Sequence, residues 1–136
     1  MSNSNTEAYL HITWTTKNRI NFFDDKEILN KVFDHIQANA IKKNIRIMAI
    51  GGFSDHLHVL IRLSVTDTVS RTVKPLKGES SWWIRRNIKG FEGFQWQQGY
   101  HMKVVETGKT KYVIDYILNQ EKHHSEEDEN PDSDSN

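Results

Sequence analysis

Hydrophobic positions along this chain follow two rhythms, and the switches between them outline its elements. Residues 9–16, YLHITWTT, are rich in aromatic and β-branched side chains and predict a first strand. Between Asp25 and Lys43 the apolar residues Ile28, Leu29, Val32, Phe33, Ile36, Ala40 and Ile41 recur at helical spacing. Asp24 or Asp25 can cap the start of that helix, and Asn44 ends it. Ile45–Ile50 predicts a short second strand punctuated by Gly51 and Gly52. His56–Leu63, HLHVLIRL, predicts a third, and the short turn between them predicts a hairpin. From Asp67 to Asn87 a second helix is expected, with Val69, Val73, Leu76, Ser80, Trp83 and Ile84 near one face. Pro75 within it predicts a kink or a split. GFEGFQWQQG (90–99) reads as irregular loop, and a fourth strand follows around Tyr100–Val105. After the break at Gly108, Lys109–His124 predicts a final helix.

The order β-α-β-β-α-β with one added helix predicts an α+β fold. It is the ferredoxin-like sandwich, an antiparallel sheet with helices on one face and a further helix appended. A chain of 136 residues suits one domain. The expected division is a single domain over 1–124 and an acidic, disordered tail over 125–136.

Charge sharpens this division. The whole chain balances 18 bases against 18 acids, but its last twelve residues, SEEDENPDSDSN, hold six acids and no base. The remaining body carries 18 bases against 12 acids, which suits a polyanionic partner. With no cysteine, disulfides and zinc–thiolate sites are excluded. The opening MSNSNTEAYL has neither a basic flank nor an apolar run, so no signal peptide is expected. No apolar stretch approaches a membrane span, and a cytoplasmic protein is expected.

Three features carry candidate chemistry. His56 and His58 flank Leu57 on a predicted strand, so their side chains share a face while Leu57, Val59 and Ile61 take the other. Two imidazoles on a rigid strand suit a divalent metal. They are expected at the sheet surface, where replacing both by alanine would leave folding intact. On the final helix Tyr112, Tyr116, Gln120 and His124 form one stripe at i, i+4, i+8 and i+12. One of the two phenols can serve as a nucleophile. A phenol is mostly protonated at neutral pH, its ordinary pKa being about 10, and needs a cation-stabilised phosphorus centre to attack. A metal on the histidines would supply that, and a side-chain oxygen such as that of Gln120 could complete its shell. Arg71–Lys89 holds six bases around Trp82 and Trp83. Arg71, Lys74, Lys77, Arg85 and Arg86 predict a surface for phosphates, with Lys17 and Arg19 adding to it. Trp83 is expected in the core.

The segments TTKNR, DHLHVLI, LKGESSWWIRR, FQWQQGY and YILNQEKHH, in that order across residues 9–124, closely resemble the insertion-sequence single-tyrosine HUH transposases. That family includes the transposase-like proteins associated with repetitive extragenic palindromes. The resemblance implies a homodimer whose tyrosine helix can complete the active site of the partner subunit. It implies Mg²⁺ or Mn²⁺ held by His56, His58 and a polar residue of the tyrosine helix. It also implies cleavage and rejoining of single-stranded DNA bearing hairpins through a 5′-phosphotyrosine link. The pattern Tyr-Ile-x-x-Gln implies Tyr116 as nucleophile and Gln120 as third ligand. Tyr112, two turns or about 12 Å from Gln120, is left as support or core. A phosphotyrosine link conserves the energy of the phosphodiester and needs no ATP, consistent with the absence of a Walker-type loop, for which Gly51-Gly52 is too short. An RRM-type binding module shares the element order, but HLHVLIRL lacks its aromatic signature. A domesticated endonuclease that processes genomic repeats is a further alternative.

Overall fold

The computed structural model describes residues 7–64 and 66–120, so the expected boundary at residue 124 and the acidic segment lie outside the described residues. Besides two short 3-10 turns, the described strands and α-helices follow in order: β1 (Glu7–Thr15), α1 (Lys26–Lys42), β2 (Arg46–Phe53), β3 (His56–Ser64), α2 (Val69–Asn87), β4 (His101–Val105) and α3 (Thr110–Leu118). The sheet order is β2-β3-β1-β4, antiparallel at every junction. This is the expected α+β arrangement. Among the described residues no helix is long and apolar enough to cross a membrane.

Alternation along the two central strands divides the molecule into layers. Leu10, Ile12 and Trp14 of β1 and Leu57, Val59 and Ile61 of β3 point to one side, where they meet Val32 and Ile36 of α1 and Val73, Leu76 and Ile84 of α2. Phe23, Phe94 and Trp96 close one end of that core by edge-to-face and tilted ring contacts. The other side of the sheet is covered as well. Ile117 of α3 packs there on Ala49 and Leu60. The expectation of helices on one face therefore holds for α1 and α2, while the appended helix occupies the opposite face.

Local chemistry explains the element ends. Asp25, not Asp24, caps α1, its carboxylate accepting from the Glu27 and Ile28 amides at 2.8 and 3.4 Å. Asn44, just beyond that helix, adopts a φ of 59°. Thr68 caps α2 through the Arg71 amide. Pro75 removes one donor from α2, yet the helix runs through as a single element rather than splitting. The two glycines of β2 do not end it, since the strand continues to Phe53 and turns back through Ser54 and Asp55. Between Ile47 and Ala49 the register shifts, leaving Met48 as the extra residue of a bulge. The shift returns Ala49 to the face of Leu60 and Ile50 to the main core.

Gly51 sits directly beneath α3. A Cβ there would lie 2.0 Å from the Ile117 carbonyl oxygen, a backbone atom that cannot swing aside. Gly51→Ala is therefore expected to lower stability by about 1–3 kcal/mol through overpacking. Gly78, exposed within α2 with nothing within 4 Å of an added Cβ, is the control. Gly78→Ala should raise stability by about 0.5–1 kcal/mol. Urea unfolding of both variants checks the pair, and a Gly51→Ala protein as stable as the parent would contradict this account of α3 packing.

Candidate functional site

Strand pairing places Thr13 directly opposite His58 and His11 opposite Leu60, so His11, Thr13 and His58 meet on the α3 side of the sheet. His11 Nε2 lies 2.8 Å from His58 Nδ1, and Thr13 Oγ1 lies 3.1 Å from the same nitrogen. A proton on His58 Nδ1 finds acceptors in both, which leaves the lone pair on Nε2. The His56 ring stands 5.0 Å from that of His58 and nearly perpendicular to it. Its Nδ1 donates to Asp55 Oδ1 at 2.8 Å. Asp55 Oδ2 in turn accepts from Arg19 Nε at 2.8 Å.

Burial by itself would raise the Asp55 carboxyl. The hydrogen bonds and positive charge of His56 and Arg19 outweigh that and hold its pKa at about 2, against an ordinary 3.8.

Seated by Ile117, α3 brings Tyr116 over the two strands. The phenol ring stands edge-on to His58 at 5.9 Å and to His11 at 6.1 Å between centroids. The tyrosine thus lies against the histidine pair of its own chain. Asn119 forms a turn after α3, so the stripe expected along one helix is interrupted before Gln120. The Gln120 amide is nevertheless fixed. Its Nε2 donates to the Tyr116 carbonyl at 3.1 Å, which aims Oε1 at His56 Nε2, 3.4 Å away. His124 lies outside the described residues.

The expectation of surface-exposed histidines is corrected. His56 and His58 are 3% and 1% exposed, because α3 covers the strand face that alternation alone would leave open. Removing both rings would empty part of a packed layer, so a double alanine variant is not structurally silent. Tyr112, one turn before Tyr116, is 72% exposed and belongs to no core.

The expected phosphate surface divides. Arg19 joins the histidine side, in a cleft of about 390 Å³ shared with Thr13, His56, His58 and the 97–101 segment. Lys17 donates to the Gln95 side chain nearby. Arg71, Lys74, Lys77, Arg85 and Arg86 belong to α2, across the sheet from the histidines. Two of them are engaged internally. Lys77 donates to the Gln97 and Gly99 carbonyls, and Arg85 to Ser81 Oγ and the Phe94 carbonyl. Burial lowers the Lys77 pKa. Arg86 lies over the exposed Trp82 ring at 4.9 Å, while Arg71 and Lys74 face solvent. Trp83 is half-buried and stacks on His35 at 4.1 Å, rather than entering the core fully.

With this geometry in place, sequence comparison is decisive: residues 4–120 match the family described as "Transposase IS200 like". The chain belongs to the IS200-like transposase family. No curated protein matches it in sequence. Among solved structures, this transposase resembles a candidate transposase from Deinococcus radiodurans R1, with a TM-score of 0.71, 22% identity, and 88% of this chain and 95% of that one covered. It also resembles a REP-associated tyrosine transposase bound to a REP hairpin, with a TM-score of 0.61, 16% identity, and 86% and 68% covered. At such identities these likenesses speak for the fold.

Sequence reading missed three residues of this cluster: His11, Thr13 and Asp55. The signal for His11 was its place between Leu10 and Ile12, which puts a polar ring on the face away from the core. Only the strand register shows that His58 is its neighbour.

Asp55 generates a pH prediction. A depressed folded pKa stabilises the fold above the ordinary carboxyl range, and that contribution is lost as pH falls from about 4 toward about 2. Asp55→Asn should therefore cost about 2 kcal/mol at neutral pH. The difference from the parent should shrink across that acid window. Denaturation of both proteins at several pH values measures it, and a difference that persists undiminished at pH 2 would contradict the assignment.

Proposed function

We propose that this chain cleaves and rejoins single-stranded DNA through a 5′-phosphotyrosine link, with Tyr116 as nucleophile and His56, His58 and Gln120 as ligands of Mg²⁺ or Mn²⁺. The observation that carries the reading is the convergence on one buried face of the Tyr116 ring, the two imidazoles and the fixed Gln120 amide. With Asp55 holding a proton on His56 Nδ1, a neutral His56 ring would turn its Nε2 lone pair toward Gln120 Oε1, 3.4 Å away. Ligands about 2.1 Å from one ion lie roughly 3 Å apart in adjacent positions, so this spacing suits a shared cation. Among the described residues no three of His, Cys, Asp and Glu are grouped as ligands, which makes the amide oxygen the fitting third donor. When bound, the ion supplies positive charge at the scissile phosphate and at the leaving oxygen.

The chain's own residues do the rest. Asp55 and His11 orient the imidazoles, as partners behind metal ligands commonly do. Tyr116 Oη forms the bond to phosphorus as the P–O3′ bond breaks. The phenol proton is released, and the departing strand leaves as a 3′-hydroxyl. A second 3′-hydroxyl attacking the same phosphorus reverses the step and regenerates the phenol.

Hairpin-bearing DNA is the proposed substrate, supported by the REP hairpin bound to the structural neighbour. Arg71, Lys74 and Arg86 are the bases of α2 open to its phosphates. We place the activity in the cytoplasm and in a homodimer. Support for the dimer comes from β4, which ends the sheet among the described residues and exposes Met102 and Val104.

Incubated with hairpin-bearing single strands from the DNA flanking its gene, the protein should form a covalent adduct when Mg²⁺ or Mn²⁺ is present and none after EDTA treatment. Tyr116→Phe should bind the same DNA and form no adduct. A trapped peptide carrying DNA on Tyr112 would refute the assignment. Light scattering at micromolar concentration should give about twice the 15.9 kDa chain mass, and a fully active monomer would rule out a required dimer.

A further inference from the structure

Two clefts border the site, and they share no lining residue. His56 and His58 line the cleft bounded by Thr13, Arg19 and the 97–101 segment. Tyr116 and His11 line another, of about 400 Å³, with Lys103, Glu106, Lys109 and Tyr112 on its walls. The pairing of His11 with Lys103 across β1 and β4 puts the lysine on the α3 face, beside the phenol. Tyr112 stands one turn before Tyr116, at the mouth, with most of its ring in water.

Displacement at phosphorus is in line, so attacking and leaving oxygens sit on opposite sides of the phosphate. The nucleotide left on Tyr116 through its 5′ phosphate is tethered within one phosphate of the phenol, which lines the Tyr112 cleft. We propose that the Tyr112 cleft is the subsite for the nucleotide immediately 3′ of the scissile bond, with the Tyr112 ring stacking on its unpaired base and Lys103 and Lys109 meeting its 3′ phosphate. Every base has a π-face, so an exposed phenol ring receives any of them. Two ammonium groups outnumber the single Glu106 carboxylate in the cleft. Its volume falls within the roughly 300–1,000 Å³ of small-ligand sites. The assignment also gives Tyr112 a task that its exposure denies it in the core.

This inference rests on Tyr116 as nucleophile, and the test separates the two. The cleavage position in the flanking hairpin strand is first mapped from the Tyr116 adduct. Binding of that strand is then measured by fluorescence anisotropy in a Tyr116→Phe background, which binds without reacting. Tyr112→Ala should weaken binding about tenfold, the scale of one lost base stack, and Tyr112→Phe should restore it to within about twofold. An abasic site immediately 3′ of the cleavage position should produce the same loss and remove any further effect of Tyr112→Ala. An abasic site on the 5′ side should leave that effect intact. Equal binding by Tyr112→Ala, or coupling to the 5′ base instead, would overturn the subsite while the adduct still upholds the tyrosine chemistry. Absence of any adduct on Tyr116 would overturn both.

Discussion

The seating of α3 on the outer face of the sheet is the constraint on which the site depends. It is made by one buried side chain, Ile117, on a shallow floor of Ala49 and Leu60, and it requires a residue without a side chain at Gly51. A closer floor would lift the helix and a lower one would leave a gap. Because the helix sits at this height, the same turn that buries Ile117 presents Tyr116 to His11 and His58. The chain beyond it folds Gln120 back toward His56. Desolvation of the two imidazoles follows from the same packing, and in a dry setting each hydrogen bond to them counts for more.

Burial on those terms requires that every polar group be oriented, and two strands share the work. A strand guarantees that His56 and His58 point to one face, but it does not set how each ring turns. His56 is turned by Asp55 in the hairpin, whose own charge is balanced by Arg19. His58 is turned by His11 and Thr13 of β1. The rings end nearly perpendicular, each held through Nδ1 by a partner from a different part of the chain. The hairpin turn therefore does more than reverse the chain, since its second residue is the acid behind the first histidine.

How much of this could be read from the sequence depends on the range of the interaction. Elements set by local periodicity were legible: the helical face of α1, the alternation of β3, an aspartate cap at residue 24 or 25 and the hairpin. So was the pairing of a histidine strand with a tyrosine helix, because each is a motif within a few residues. Contacts that need register were not. His11 meets His58 only through the β1–β3 alignment, and Lys77 meets the Gln97 and Gly99 carbonyls only once α2 is docked. Gly51 and Gly52 read as a strand end because glycine usually weakens strands. Here the missing side chains serve close approach, of α3 to Gly51 and of the returning chain to Gly52. Helix α3 was legible as a helix, but its periodicity says nothing about which face of the sheet it covers, so the burial of the histidines could not be foreseen.

Charge at the site is paired at short range. The His56 imidazole faces the Gln120 amide oxygen, and Asp55 behind it is matched by Arg19. Pairing Arg19 with Asp55 balances a partly buried carboxylate while leaving it to orient His56. The excess positive charge of the body is displaced outward, to Lys103 and Lys109 beside the tyrosine and to Arg71, Lys74 and Arg86 on the far helix layer. There it can attract a polyanion from a distance. Lys77 joins the two regions, since its bonds to the loop carbonyls pin the wall of the histidine cleft to α2. A basic helix across the sheet from the histidines thereby shapes the cleft beside them.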